Sequence, residues 1–314
     1  MTTNLPKIAF VVATKDRPRD LRNMLTSLAE QSVRPGQVVI VDASAEPDER
    51  VAGEFPSLRI DYLRHWPPSA SAQRNAGIRA VDPAMDLVGF LDDDAVLAEG
   101  AMEAMLAFWL QAPADVGGAA FNYLNPASVA GGRLKRSPLA SWLGLYAAAP
   151  GEVAPSGWQS LTGRVEQTTW VRWLCSGASV WRRGVLATTV FDEFFDGYSY
   201  LEDLDFSYSV SRTHRLAIVA EAGFRHYPSP SGRSSAYRFG KVEARNRLYF
   251  VRKHGLSVGR CYLGLLVRLA MTAGSALAGR PRGKLARAAG NLSSIARDLL
   301  SLGKSTRSPA AHGA

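Results

Sequence analysis

Through the first 110 residues, continuous apolar runs alternate with segments in which apolar residues recur at helical spacing. Continuous apolar stretches predict four strands, at residues 7–14, 37–44, 58–65 and 86–92. Between and after them, apolar side chains at helical spacing, such as Leu21, Leu25 and Leu28, predict helices over residues 17–31, 69–81 and 99–111. This regular alternation is typical of an α/β domain with a doubly wound, mostly parallel sheet.

The alternation stops near Asn122. From there to about residue 169 the chain is rich in Gly, Pro, Ser and Ala, and a loop of that length is usually functional or disordered. Its apolar content between Trp142 and Tyr146 is high for a linker. Order is expected to return over residues 171–186, with a helix beginning at the sequence YLEDLDF, a short strand and turn over residues 215–228, and basic helices beyond residue 236.

Cysteine content and apolar content narrow the class of protein. The two cysteines, Cys175 and Cys261, lie far apart in the sequence and match neither a disulfide framework nor a metal-binding spacing. We therefore expect the protein to lie in the reducing environment of the cytoplasm. The first ten residues lack the pattern of a signal peptide, and no apolar stretch of 18 residues is free of charge. A transmembrane span is therefore not expected.

Basic charge is concentrated at the end of the chain. The whole protein carries a net charge of +9, yet the segment from Arg252 onward has 11 Lys and Arg residues against one acid, Asp298. Two amphipathic helices are predicted there, the first charged only at Arg260 and Arg268. In the second, one side is apolar: Leu285, Ala289, Leu292, Ile295 and Leu299. We expect them to lie on an anionic membrane surface; the alternative is packing on the catalytic domain or on a second subunit.

Three predicted strands end in polar residues, which should meet in one crevice at the carboxyl edge of the sheet. These ends are residues 14–17, residues 42–44 and the acidic triplet Asp92–Asp94. Three adjacent carboxylates repel one another, and a bound Mg²⁺ or Mn²⁺ relieves that repulsion. The alternative for the triplet is a solvated turn that caps the next helix.

Other polar residues have a functional and a structural interpretation. The second acidic cluster, Glu202, Asp203 and Asp205, could supply a general base or could simply favour a helix N-terminus. Arg74 could pair with a phosphate or lie at the surface. His226 could bind a metal or serve the structure.

Taken together, the motifs resemble glycosyltransferase family 2, whose fold is called GT-A. VVATKDRP, VVIVDAS, SAQRNAGI, FLDDDA and YLEDLDFSYSV occur in that family's order between Lys7 and Gly255. The resemblance implies an inverting enzyme that transfers a sugar from a nucleotide-sugar to a hydroxyl. It also implies a catalytic domain over residues 1–255, with a nucleotide-sugar half to about 121 and an acceptor half from 122. The charge pattern adds a basic helical tail over residues 256–314.

The resemblance assigns roles to individual residues. Asp203 is implied as the catalytic base, and Asp94, with Asp92 and His226, as the site of Mn²⁺ or Mg²⁺. Weaker counterparts of family positions fall at Gly232, Arg233 and Asn246. The implied substrate-binding residues are Thr14, Asp16, Arg17, Asp42, Arg74, Asp92, Asp93, Trp173, Gly177 and Glu202.

Substrates and partners follow as expectations of the same resemblance. A UDP-sugar is the expected donor, the acceptor is a hydroxyl compound with a lipid-linked glycan as one candidate, and the setting is cell-envelope synthesis at the cytoplasmic face of the membrane. A homo-oligomer stays open. A nucleotidyltransferase would carry a Gly-rich phosphate loop after the first strand, which ATKDRPRD lacks. A nucleic-acid-binding protein would explain the basic tail but leave both acidic clusters without a role, so no nucleic-acid partner is expected.

Overall fold

The computed structural model describes residues 5–126, 137–197, 199–228, 235–277 and 283–305. The chain divides into two compact units. The first comprises Met1–Arg136, Ala147–Val153 and Gln159–Arg233, and the second comprises Ser137–Tyr146, Ala154–Trp158 and Ser234–Ala314.

The first unit is a layered α/β structure. Its described strands are β1 (Ile8–Thr14), β2 (Gln37–Asp42), β3 (Ile60–Arg64), β4 (Leu87–Asp92), β5 (Ala95–Leu97), β6 (Val116–Tyr123), β7 (Thr169–Val171), β8 (Ala178–Arg182) and β9 (Arg215–His226). Its described helices are α1 (Pro18–Ala29), α2 (Val51–Glu54), α3 (Ala70–Ala80), α4 (Ala101–Gln111), α6 (Arg183–Leu186) and α7 (Glu202–Val210), and α5 (Pro138–Trp142) belongs to the second unit.

These strands form one mixed sheet in the order β3-β2-β1-β4-β8-β6-β9-β5, with β7 also paired to β9. The four strands from β3 to β4 run parallel, as do β6 and β9. β8 runs antiparallel to both β4 and β6, and β5 and β7 run antiparallel to β9. The expected α/β class is confirmed, and its parallel part is the one that the apolar runs predicted.

Both faces of the sheet are covered by apolar side chains, because successive residues of a strand point to opposite faces. In β1, Phe10 and Val12 join the core that α1 and α4 cover, whereas Ala9 and Val11 join the core on the other face. A strand buried on both sides reads as a continuous apolar run, which is why β1, β2 and β4 are evident from the sequence.

The sequence patterns missed or shortened several elements of the mixed half. β6 was not predicted, since its residues VGGAAFNY are mostly small and lack a period. A side chain at Gly118 would lie 2.4 Å from the Trp181 ring, so the close packing there needs glycine. The short strand and turn expected over residues 215–228 form the 12-residue strand β9 instead. The segment expected as a long loop after Asn122 contains the short helix α5. Residues 127–136 of that loop lie outside the described residues.

The second unit is helical. It contains α8 (Ala236–Lys253), α9 (Val258–Leu277) and α10 (Gly283–Ser305), which pack on one another. Two glycines permit the closest approach: a Cβ at Gly240 would lie 2.1 Å from the Arg287 carbonyl oxygen, and one at Gly290 would lie 2.1 Å from that of Tyr237. The last segment of this unit begins at Ser234, whereas the sequence placed the start of the tail at residue 256.

Charged residues lie within this helical unit. Glu243 on α8 is 1% exposed and receives two hydrogen bonds from Arg287 on α10, at 2.8 and 2.9 Å. Arg268 on α9 lies 3.4 Å from the same carboxylate. These cations hold the pKa of Glu243 below its ordinary value although burial opposes that. Two arginines of the basic tail, which was predicted to contact a membrane surface, therefore pair with a buried carboxylate inside the unit.

The apolar side of α10 is divided between core and solvent. Leu285, Leu292 and Leu299 are each more than half exposed, whereas Ile295, which the sequence placed with them, is 4% exposed and belongs to the packed side. No helix among the described residues combines the length and apolar content needed to cross a membrane.

Candidate functional site

The register of the parallel strands brings three polar strand ends to one edge. Thr14 at the end of β1 pairs with Asp42 at the end of β2, and Ala13 pairs with Asp92 at the end of β4. The Gln73 side-chain amide donates to the carbonyl oxygens of Thr14 and Val41, at 2.9 and 2.8 Å, and so joins β1 to β2. The expected convergence is confirmed.

Asp93 and Asp94 are held by the segment that follows β1. The Thr14 hydroxyl donates to Asp93 Oδ2 at 2.7 Å, and Arg17 Nη1 donates to Asp93 Oδ1 at 3.0 Å and to Asp94 Oδ2 at 3.3 Å. Burial raises the pKa of Asp93 to about 6, although Arg17 and Thr14 favour the charged form. Asp93 is therefore the buried carboxylate that fixes Arg17, and Asp94 is the acid of the two that is left to bind a ligand.

Asp94 and His226 form a pair of metal-binding type. His226 Nε2 lies 2.9 Å from Asp94 Oδ1, and this hydrogen bond raises the pKa of His226. An imidazole and a carboxylate are suitable donors for Mn²⁺, which also takes oxygen from phosphate and water. Within the described residues, no group of three or more His, Cys, Asp or Glu side chains is arranged to hold an ion.

The sequence analysis grouped Asp92 with Asp94 and His226 as metal ligands, but in the structure Asp92 has a different partner. Its Oδ1 accepts a hydrogen bond from Arg74 Nη2 at 3.0 Å, while Arg74 Nη1 donates to Glu202 Oε1 at 2.9 Å. The guanidinium, buried against Phe191, therefore joins the strand-end triplet to the second acidic cluster. The charge that was expected to face a phosphate is bound by these two carboxylates.

Glu202 and Asp203 open helix α7, where the helix dipole favours acids. Leu201 before them has a φ of +78°, a conformation that leucine rarely adopts. Burial and the neighbouring Asp203 charge raise the pKa of Glu202 to about 8, against the opposing effect of Arg74. Burial also raises the pKa of Asp203, although Leu204 N–H donates to it and Arg74 is near.

Cys175 is the neighbour of Asp203 that the sequence did not reveal as part of the site. Its side chain lies near the Asp203 carboxylate and favours the charged form of that acid. Desolvation and the charges of Asp203 and Asp92 raise the pKa of this thiol well above its ordinary value. The thiolate is therefore disfavoured, although the residue itself reaches solvent.

A second part of the crevice lies beside β2. A cavity of about 580 Å³ is lined by Thr14, Asp16, Arg17, Asp42 and Tyr62, among others. The Asp42 carboxylate already accepts hydrogen bonds from the Ser44 backbone N–H, the Ser44 hydroxyl and the Tyr62 hydroxyl. Asp16, at a φ of +54°, receives a bond from Ala45 N–H and donates its own N–H to Ser44.

Trp173 and Gly177 lie beside the acidic clusters. Gly177 accepts a hydrogen bond from the Asp92 backbone N–H, and a Cβ on this glycine would lie 2.7 Å from Asp92 Oδ2. Its lack of a side chain is what allows the carboxylate its position. Trp173 is 8% exposed and donates from Nε1 to the Ser160 carbonyl oxygen at 2.9 Å.

Residues 9–161 match the profile of Glycosyl transferase family 2. These residues therefore form a glycosyltransferase family 2 domain. The match includes the strand ends, Arg17, Arg74 and the acidic triplet, and it ends before Cys175, Asp203 and His226.

Solved structures share the fold of this glycosyltransferase. S. aureus TarS 1-349 matches with a TM-score of 0.52 and 17% identity over 81% of this chain and 68% of that one, and it has also been solved with UDP-GlcNAc. The mannosyltransferase PcManGT from Pyrobaculum calidifontis, solved with GDP-Man and Mn²⁺, matches with a TM-score of 0.54 and 14% identity over 93% and 88%. No curated protein sequence matches the chain.

The structure brings the predicted polar strand ends to one edge of the sheet, but their contacts were not predicted. Cys175 could have been noticed because it lies between Trp173 and Gly177. Tyr62 carried no signal, since its contact with Asp42 depends on the pairing of β2 with β3. Gly232 and Arg233, the weaker counterparts, lie outside the described residues.

Protonation of Glu202 should make the stability of the protein depend on pH. The folded state keeps this proton up to about pH 8, whereas the unfolded chain loses it near its ordinary pKa of 4.5. The stabilisation is therefore fully present below about pH 4.5 and is lost as the pH rises through 8. We expect Glu202→Gln to reduce the fall in unfolding free energy between pH 5 and 9 by at least about 1 kcal/mol, roughly the value of one pKa unit.

Urea denaturation at a series of pH values measures this effect. Glu166→Gln is the matched control, because the Glu166 side chain is 83% exposed. Equal slopes for the wild type and Glu202→Gln would mean that Glu202 is ionised in the folded protein throughout this range.

Proposed function

We propose that this glycosyltransferase acts with inversion, moving a sugar from a nucleoside-diphosphate sugar to an acceptor hydroxyl. The observation that carries the proposal is the Arg74 bridge, with hydrogen bonds of 3.0 Å to Asp92 and 2.9 Å to Glu202. It links Asp92, from the acidic triplet that would bind the donor diphosphate through a metal ion, with the Glu202–Asp203 pair, which would remove the proton of the acceptor hydroxyl. A single displacement at the anomeric carbon needs both.

Asp203 is the proposed base. Its carboxylate lies at the start of α7, where the Leu204 N–H donates to it and the Cys175 side chain lies near it. A base whose pKa is raised towards neutrality takes a hydroxyl proton more effectively than an ordinary aspartate. Glu202 is bound to Arg74, which leaves Asp203 as the carboxylate of the pair for the acceptor.

The donor side is proposed to be the 580 Å³ cavity beside β2 together with Asp94 and His226. Arg17 there carries charge that favours a diphosphate, and Asp42, Ser44 and Tyr62 form a polar wall for a nucleoside. Asp94 and His226 would hold Mn²⁺ or Mg²⁺, which would neutralise the departing diphosphate. UDP-GlcNAc and GDP-Man are bound by the two structural neighbours, and we propose a UDP-sugar for this enzyme.

The second unit is proposed to bind an anionic membrane surface at the cytoplasmic face. Several large apolar side chains on its helices are exposed, among them Trp142 at 79%, Leu292 at 52% and Leu300 at 70%. Exposed apolar groups on a unit with excess Lys and Arg suit the interface of an anionic bilayer. A catalytic domain with a membrane-binding tail fits a lipid-linked glycan acceptor and a role in the cell envelope.

Removal of the proposed base should abolish turnover while donor binding persists. Asp203→Asn keeps the shape of the side chain and removes its proton affinity, so kcat should fall by a factor of ~10²–10⁴. Thermal-shift screening of UDP-, GDP- and dTDP-sugars with Mn²⁺ first identifies the donor, whose consumption is then followed. Asp115→Asn, at the opposite edge of the sheet, is the control. Near wild-type turnover in Asp203→Asn would exclude Asp203 as the base.

Loss of the proposed metal-binding carboxylate should remove metal-dependent donor binding. Titration calorimetry with UDP, or with the donor nucleotide found above, should give a higher affinity with Mn²⁺ than without it in the wild type. Asp94→Ala should reduce the affinity with Mn²⁺ to the metal-free value, while Asp115→Ala retains the wild-type difference. Equal wild-type affinities with and without Mn²⁺ would contradict the metal site.

Membrane binding should depend on the exposed side of α10. The full chain should float with vesicles of anionic lipid and stay at the bottom with neutral vesicles, since both the charge and the apolar residues contribute. Leu292→Glu with Leu299→Glu should abolish flotation, and the exposed pair Leu110→Glu with Val190→Glu in the first unit should not. A wild-type chain that fails to float with anionic vesicles would show that these helices serve packing alone.

A further inference from the structure

An apolar cavity of about 240 Å³ opens beside the acidic clusters in the first unit. Its large apolar and aromatic lining residues include Phe121, Leu161, Trp173, Leu174, Ile218 and Phe224. They come from β6, β9 and the segments before β7 and β8, so the mixed half of the sheet builds this cavity. The donor cavity beside β2 has other lining residues and is rich in charged groups.

Three polar side chains at the apolar cavity are already bound within the protein. Asp92 accepts from Arg74, His226 is paired with Asp94, and Trp173 Nε1 donates to Ser160. A sugar in such a cavity would lose hydrogen bonds to water and regain few, which is costly for each buried hydroxyl. An alkyl or aromatic group loses nothing of that kind and gains from burial.

The same cavity adjoins the proposed base. Asp92 and Cys175 both line it, and the Cys175 side chain lies near the Asp203 carboxylate. A group that fills the cavity therefore lies next to the carboxylate that would take the proton of the acceptor hydroxyl. His226, proposed to hold the metal on the donor side, also lines this cavity, whereas the nucleoside is proposed to lie at the ends of β1 and β2.

We propose that the acceptor carries an alkyl or aromatic group close to its reacting hydroxyl and that this cavity binds that group. The assignment rests on the proposed function, since it takes Asp203 to be the base. At ~30 Å³ for each water, 240 Å³ corresponds to about eight waters, enough for a small ring or the first carbons of a longer chain. The acceptor class is thus an alcohol with an apolar substituent rather than a free sugar.

Straight-chain primary alcohols of four to ten carbons are the probes. Ligand-observed NMR should show binding that strengthens by about three- to fourfold for each added methylene until the cavity is filled. Leu161→Asn should weaken the binding of the longer alcohols about tenfold, because it places a polar group in the wall. Leu161 is 58% exposed, so the fold should tolerate the change, and Leu110→Asn, at 44% exposure, is the matched control.

Binding that does not vary with chain length, or that Leu161→Asn leaves unchanged, would overturn the proposal. Competition separates donor from acceptor: the alcohols should bind together with the intact nucleotide-sugar. If they displace the nucleotide-sugar but not the bare nucleotide, the cavity holds the donor sugar and the acceptor assignment is wrong.

These readouts need no turnover, so the two proposals can fail separately. Alcohol binding with the expected dependence, in a protein that consumes no nucleotide-sugar, would refute the proposed function and the acceptor role built on it while leaving an apolar ligand site. Sugar transfer to polar acceptors, without alcohol binding, would refute the cavity assignment alone.

Discussion

The buried guanidinium of Arg74 is the charge on which the arrangement of the site depends. It lies between the half-buried Asp92 and the more deeply buried Glu202, and without it Glu202 would be held largely out of water with no cation beside it. Removing one partner from such a buried network costs far more than a surface ion pair contributes. Because Arg74 belongs to α3 and Glu202 to α7, the same contact also joins two helices on one face of the sheet.

The acids near Arg74 differ from one another in their burial and in their hydrogen-bond partners. Asp93 is buried under Arg17 and Thr14, Asp94 meets His226, and Asp203 lies near the Cys175 side chain. Carboxylates that are close in sequence thus differ in partners and in pKa. The proposed donor site and the proposed base can lie side by side only because each carboxylate is compensated locally.

The mixed half of the sheet gives the site its other character. β6, β8 and β9 bring Phe121, Ala178 and Ile218 beside the acids, so a charged crevice borders an apolar cavity. The helical unit repeats this combination on a larger scale, with Glu243 buried between Arg268 and Arg287 while Leu292 and Leu299 remain exposed. Both features suit a substrate with a polar and an apolar part.

Much of the parallel half could be predicted from the sequence. Strands buried on both faces, such as β1, β2 and β4, appear as continuous apolar runs, and their polar ends must share an edge once the strands are parallel. The motif order pointed to family 2 for the same reason: its residues cluster at those ends. β6 escaped because VGGAAFNY has no period, and the length of β9 because its pairing is with strands distant in the chain.

The sequence by itself determined which carboxylates, arginines and strand ends this protein has, because composition and period are local properties. Only the tertiary structure decided their partners. Arg74 is 18 residues from Asp92 and 128 from Glu202, and Cys175 meets Asp203 across two different elements. Which side of α10 is buried was also settled by packing, since Ile295 and Leu292 have similar hydropathy and differ only in the neighbour that each one faces.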